Sequence, residues 1–290
     1  VDAGITLLDL APSYGPGELS PEAELVVGEA FDGRIPEGVR LTTKVVVDDA
    51  LPVESVARAI RESLRGSLER LRVAHIDLFF LHSYVRPPHV AAVGAEVIDI
   101  SRVRQLVRPT FEQLVEEGLV GHWGLTGVAH PDAICELLHD EPKPAVVQCI
   151  ANALDSVGNM WPFEPSEQPD NRRIRAEATR NDVAVMGIRA LAAGALADSL
   201  DRAADLGDPT LLDFRDAQAF RELAHAKGSS PARLALRYAL SLPDIATVTL
   251  GAKSRLELAE CLAAEAAGPL SAAEMAEVDD SCSCDRRACA

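Results

Sequence analysis

The stretch "IDLFFLHSY", residues 76–84, decides the fold. Its first six residues hold a single polar side chain, Asp77, and the run stops on His82. A strand with one wet face alternates apolar and polar residues. A nearly unbroken apolar run is instead a strand covered on both faces, the pattern of a parallel sheet between helices. Working outward, the same pattern recurs at residues 5–10, 40–46, 120–125, 145–150, 183–188 and 247–250. Seven strands are therefore expected.

Helical spacing fills the intervals. Residues 52–71 give the clearest stripe, with Val53, Val56, Ala57, Ile60, Leu64, Leu68 and Leu71 on one face. Further helices are expected at about 21–31, 103–117, 131–138, 171–181, 217–227, 231–241 and 254–267. Some open on a cap followed by proline, as in "SPEAE" (Ser20, Pro21) and "SPARLALRYAL" (Ser230, Pro231), and Gly228 offers a C-cap. Regular β–α alternation without an internal linker predicts one α/β domain over residues 1–290, with a short cysteine-containing tail from about residue 281. Seven units are one short of a closed (β/α)8 TIM barrel, and the opening "VDAGITLLD" reads as a helix end feeding a strand. The expected fold is thus such a barrel without its first strand–helix unit. The competing fold is an open doubly wound sheet, but its G-x-G-x-x-G fingerprint is missing after the first strand.

Composition narrows the function classes. The 290 residues are 48% hydrophobic, enough for a full core, and carry a net charge of −17 without a basic patch. That excludes a nucleic-acid partner and suits a cytoplasmic protein. No apolar run approaches a membrane span and no leader pattern is seen. The six cysteines (Cys135, Cys149, Cys261, Cys282, Cys284 and Cys289) read as reduced thiols, the last three in a frayed terminus with no histidine beside them to complete a metal site. Three long loops, residues 83–102, 152–170 and 192–216, follow strands, on the face where barrel enzymes build their sites.

Polar residues at strand ends carry the chemistry. "LLDLAPSYGPG" puts Asp9 at the end of the first strand and Tyr14, one of three tyrosines, in the loop after it. "RLTTKVVVDD" buries Lys44 in the second strand, and the third ends on His82. A lysine inside a strand needs a counter-ion, which Asp9 supplies. An ammonium beside a phenol lowers its pKa from about 10 and eases proton donation. An imidazole there can hold a carbonyl oxygen. Each residue alone has a structural explanation: a loop aromatic, a snorkelling lysine, a turn cap, a strand-end hydrogen bond. Their convergence on three consecutive strand ends predicts a device that protonates an oxygen.

The segments "GITLLDLAPSYGPG…ELVVGEAF", "LTTKV" and "IDLFFLH" resemble the aldo-keto reductase family, and the similarity extends over essentially the whole chain. The resemblance implies a (β/α)8 barrel and hydride transfer between an extended nicotinamide cofactor, usually NADP(H) with NAD(H) possible, and a small-molecule carbonyl or alcohol. It maps the family's tetrad onto Asp9, Tyr14, Lys44 and His82, with the tyrosine as general acid or base and Asp9 also at the cofactor. Thr126, next to Gly127 in "VGHWGLTGV", and Gln148 in "AVVQCIANALD" would hold the carboxamide. "VAVMGIRALAAGAL" places Ile188, Arg189 and Leu191 along the cofactor, Arg189 as a pyrophosphate ligand or a surface ion pair. "TVTLGAKSRLELAECLAA" would place Gly251, Lys253 and Ser254 at a 2′-phosphate and Glu260 at adenine, with Glu257 opposing the phosphate. Tyr84 and Trp161, with His89 and Met160 nearby, are candidates for the substrate pocket, and no metal is expected. The alternative is a catalytically impaired or non-catalytic nucleotide-binding barrel.

Overall fold

The computed structural model describes residues 1–15, 20–200 and 207–283. Its contacts group into two compact units: residues 1–147, 162–169 and 180–183, and residues 148–161, 170–179 and 184–290.

In the first unit, β1 (Leu7–Asp9), α1 (Glu22–Phe31), β2 (Arg40–Val45), α2 (Val56–Leu71) and β3 (Ile76–Leu81) alternate in order. A small parallel pair follows, β4 (Tyr84–Arg86) and β5 (Val97–Asp99). The next helix starts as α3 (Ile100–Arg102), widens through a π turn over Val103–Val107 and runs on as α4 (Arg108–Glu116). Then come β6 (Val120–Thr126), α5 (Pro131–His139) and β7 (Val146–Ile150). Strands β1, β2, β3 and β6 pair side by side and parallel, with Asp9 opposite Thr42, Lys44 opposite Phe80 and Leu81 opposite Leu125. Beyond them, the Ala145 N–H donates to the Trp123 carbonyl at 3.0 Å and leads the chain into β7.

The near-continuous apolar pattern has the expected cause. Phe79, Phe80 and Leu81 of β3 are wholly buried. The Phe79 ring meets Phe111 of α4 at 5.1 Å between centroids, and Phe111 meets Trp123 at 5.9 Å. Helix α2 turns Val56, Ile60, Leu64 and Leu71 of its predicted stripe inward, all 0–1% exposed, while Val53 at its foot stays 57% exposed.

The second unit takes the end of β7, then α6 (Asn171–Arg180, all but its last residue) and β8 (Ala184–Ile188). It continues with α7 (Pro209–Asp216), α8 (Gln218–Ala226), α9 (Pro231–Ser241), β9 (Thr247–Val248), α10 (Arg255–Ala266) and α11 (Ala272–Ser283). The Ala151 N–H donates to the Ile188 carbonyl at 3.0 Å, and β9 lies parallel to β8 with Met186 opposite Thr247. Phe220, Leu234, Tyr238 and Val278 sit in one core cluster there.

All seven expected strands are found, with β1 and β9 shorter at their ends. Three loop readings need correction. Residues 83–102 carry β4 and β5, residues 209–216 form α7, and residues 272–283 form α11. At the start of the tail expected from about residue 281, Ser281 and Cys282 are in α11, where Cys282 is 3% exposed and packs in that core cluster. Cys284 and Cys289 lie outside the described residues. Ser230 caps α9 as expected, its hydroxyl accepting from the Arg233 N–H at 3.2 Å. Ser20 does not cap α1, because Pro21 itself stands at the N-cap position with no side-chain bond.

Gly28 of α1 shows how tightly the helices are set. A Cβ there would fall 2.0 Å from the backbone carbonyl oxygen of Arg70. Only glycine lets α1 approach the end of α2 so closely, and a backbone atom cannot swing aside. Gly28→Ala is therefore expected to destabilise the chain by about 2 kcal/mol or more, read as a lowered midpoint in denaturant melts.

Candidate active site

The ladder between β1 and β2 brings the predicted residues together. Side chains alternate along a strand, so Thr42 and Lys44 share one face of β2 and Thr43 takes the other. Lys44 is fully buried, and its Nζ donates to Asp9 Oδ2 and to the Leu10 carbonyl, both at 2.8 Å. Thr42 Oγ1 donates to the other carboxylate oxygen, Asp9 Oδ1, at 2.7 Å. Asp9 is thereby held through both oxygens. The Tyr14 ring lies over the ammonium, its centroid 4.4 Å from Nζ, which is cation–π distance. His82 stands edge-on to that ring at 6.1 Å, and its backbone N–H donates to the Val45 carbonyl at the end of β2. Asp9, Tyr14, Lys44 and His82 form one cluster.

The electrostatics differ from expectation at one point. The Tyr14 phenol is held well above its usual value, by burial first and by the Asp9 charge second. The net shift is upward, so the lysine does not acidify the phenol in this state. Tyr14 is therefore a protonated phenol near neutral pH, with 37% of its surface open to solvent. Burial lowers the pKa of Lys44, opposed by Asp9 and, more weakly, by Glu24. His82 is pushed down to about 4, by burial first and by the Lys44 charge second, so its imidazole is neutral.

A second polar layer backs β2, and sequence reading did not find it. Glu24 of α1 is completely buried. It accepts from Thr43 Oγ1 at 2.5 Å and from Arg70 Nε of α2 at 2.6 Å, and Arg70 also reaches Ser67 Oγ at 3.2 Å. The "TTK" triplet in an otherwise apolar strand was the available signal, since buried hydroxyls require partners.

Among the predicted cofactor residues, Thr126 closes β6, the strand paired with β3. Its hydroxyl is buried and without a hydrogen-bond partner, which fits a polar ligand such as a carboxamide. Gln148 is 2% exposed and its Nε2 donates to Met186 Sδ at 3.1 Å, a soft acceptor that a carbonyl oxygen could replace. Arg189, at φ 55°, lays its guanidinium against Gly158 and reaches Asn159 Oδ1 at 3.5 Å. Leu191 packs on a neighbouring core cluster. Space beside Gly251 is open. Ser254 caps α10, accepting from the Glu257 N–H at 3.1 Å, and Glu257 Oε2 accepts the Lys253 N–H at 2.7 Å. Glu260 is engaged by the Ser230 hydroxyl. Tyr84, in β4, is half-buried and donates its N–H to the Glu96 carbonyl at 2.9 Å, while Trp161 is half-buried just after the 3-10 turn Gly158–Met160.

The strand ladder gathers aspartate, tyrosine, lysine and histidine into one cluster. In the sequence comparison, a model of the Aldo/keto reductase family matches residues 1–282, and the chain belongs to that family. Among curated proteins it is similar to 6-dehydroglucose reductase of Novosphingobium aromaticivorans, 34% identical over 113 residues, 37% of each chain. It is also similar to aldo-keto reductase YhdN of Bacillus subtilis, 33% identical over 114 residues, 37% of this chain and 33% of that one. The matched segments thus span well under half the length of either relative. The solved structure of aldo-keto reductase AKR11C1 from Bacillus halodurans, apo form, superposes with a TM-score of 0.69 at 24% identity, covering 97% of this chain and 82% of that one. Its holo form gives 0.69 at 22% identity, with 97% and 83% coverage. The fold is accordingly that of the (β/α)8 barrels of this family.

The neutral His82 makes a signed prediction. Its pKa is lower in the folded state than the ordinary value near 6.5, so between pH 6.5 and about 4 the unfolded chain binds a proton that the native chain does not. Stability from this group is complete above pH 6.5 and falls as acid is added through that window, by roughly 3 kcal/mol. Thermal melts of His82→Gln are expected to show a shallower loss from pH 7 to pH 4 than the parent chain.

Proposed function

We propose that this chain is an NAD(P)(H)-dependent oxidoreductase that interconverts a carbonyl group (aldehyde, ketone or sugar) and the corresponding alcohol, with Tyr14 as the general acid or base. The observation that carries the reading is the pair of the fully buried Lys44 with Asp9 beneath the Tyr14 ring, with the neutral His82 at its edge. The bound nicotinamide would supply or accept the hydride at the carbonyl carbon.

This chain's residues would do the rest. His82, neutral and able to donate one N–H, would hold the carbonyl oxygen and orient it. The Tyr14 phenol would give its proton to that oxygen as negative charge develops there. The Lys44 ammonium, retained by Asp9 and the Leu10 carbonyl, would stabilise the phenolate left behind, and a proton from solvent would restore the phenol. In the alcohol-oxidising direction the same groups run in reverse. Thr126 and Gln148 would hold the carboxamide, and Arg189 the pyrophosphate. Tyr84 and Trp161 are assigned to the substrate. A cytoplasmic location would be in keeping with its charge of −17.

Sequence reading favours NADP(H), through Lys253 and Ser254. One observation supports NAD(H) instead. Glu257 folds its carboxylate back onto the Lys253 N–H and the Ser254 hydroxyl caps the same turn, so the segment assigned to a 2′-phosphate already holds an anion. We therefore place NAD(H) ahead of NADP(H). Fluorescence titration is expected to give tighter binding of NADH, and Glu257→Gln to improve NADPH affinity by about fivefold. Unchanged NADPH affinity in that variant would restore the NADP(H) assignment.

Tyr14→Phe tests the acid. Turnover with a panel of aldehydes should fall by roughly 10²–10⁴-fold, while NADH and NADPH affinities stay within about twofold. Ordinary turnover in Tyr14→Phe would refute the assignment. Intact cofactor binding without turnover in the parent chain would favour a non-catalytic nucleotide-binding barrel.

A further inference from the structure

We propose that Glu24 is a positioning residue for Lys44, holding β2 from behind through Thr43 and setting a second carboxylate charge behind the lysine. The inference rests on the reading of Lys44 as part of the proton-delivery site.

Three observations converge on it. First, Glu24 is 0% exposed, although a buried carboxylate is costly and an apolar residue would fill the same interface between α1 and α2 without that cost. Second, its partners lead to the site. Thr43, which it accepts from, is the residue immediately before Lys44 and points to the opposite side of the strand. Thr42 and Lys44 are tied to Asp9 in front while Thr43 is tied to Glu24 behind. Three successive residues are therefore tied on both faces of the strand. Third, the approach of α1 that brings Glu24 into reach depends on the missing side chain at Gly28.

Charge adds to geometry. The charged and titratable groups around Lys44 are Asp9 from β1, Tyr14 from the loop after it, His82 from the end of β3, and Glu24 from α1. Arg70 of α2 stands behind Glu24. Burial disfavours the ammonium, and the two carboxylates oppose that effect, Asp9 by contact and Glu24 at longer range. A lysine that lost its proton in the working range could no longer stabilise a phenolate at Tyr14. Glu24 thereby extends the alkaline reach of the site without touching substrate.

The chain has four lysines, Lys44, Lys143, Lys227 and Lys253, so side-chain NMR of protein labelled with ¹³C-lysine can follow Lys44 directly, with Lys44→Met supplying the assignment. In Glu24→Gln the Lys44 titration should move to lower pH by about 0.5 unit or more, and the alkaline limb of kcat/KM for carbonyl reduction should move with it. Thr43→Val keeps the charge and should leave the titration within about 0.2 unit while lowering kcat. Arg70→Met removes the compensating cation and should move the titration upward, which keeps the test decisive if Glu24→Gln does not fold. An unmoved Lys44 titration in Glu24→Gln, or a downward move in Arg70→Met, overturns the proposal. A chain whose Lys44 responds as stated but which reduces no carbonyl refutes the functional reading alone.

Discussion

The site depends on one buried ion pair. Lys44 Nζ meets Asp9 Oδ2 at 2.8 Å with the lysine wholly out of water and the aspartate nearly so. An ammonium cannot be left in such a place without a partner, and removing either member would strand the other, at a cost of about 3–5 kcal/mol. The pair therefore dictates its surroundings. Asp9 must end β1 level with Thr42, the ladder must be parallel and in that register, and the loop that follows must bring Tyr14 back over the ammonium.

Replacing such a pair with well-packed apolar residues is often neutral or stabilising, so stability alone does not account for it. Its surroundings point to chemistry. The phenol stays protonated, the imidazole stays neutral, and the cation lies beneath the ring where a phenolate would form. On the proposed function, three ionisable groups with their protons sorted in this way would be poised for transfer to an oxygen. The second layer of Glu24, Thr43, Ser67 and Arg70 extends the same logic by one shell. Along β2, alternate side chains serve the site in front and the support behind.

Much of this was legible in the sequence because it depends on local pattern. Near-continuous apolar runs gave the parallel strands, and polar residues at their ends gave the tetrad. What was missed depends on partners distant in the chain or on weak local signals. Thr42 and Glu24 read as ordinary strand and helix residues until the fold sets them against Asp9 and Thr43. Helix α11, "AAEMAEVDDSCS", has small and acidic residues and a thin apolar stripe, so Val278 and Cys282, four apart, did not announce a buried face. Strands β4 and β5 have three residues each, too few for periodicity to register. The sign of the Tyr14 shift needed the actual degree of enclosure, which residue types do not convey.

The enclosure of Lys44 has a practical consequence. Lys227 and Lys253 are exposed and Lys143 is half-buried, whereas the amine of Lys44 is sealed beneath an aromatic ring and bonded to two oxygens. Acylating or alkylating reagents would decorate the outer amines and spare the inner one for as long as the barrel stays folded. Labelling at that fourth amine would act as a clock for local opening, counting how often the innermost layer of the site meets solvent.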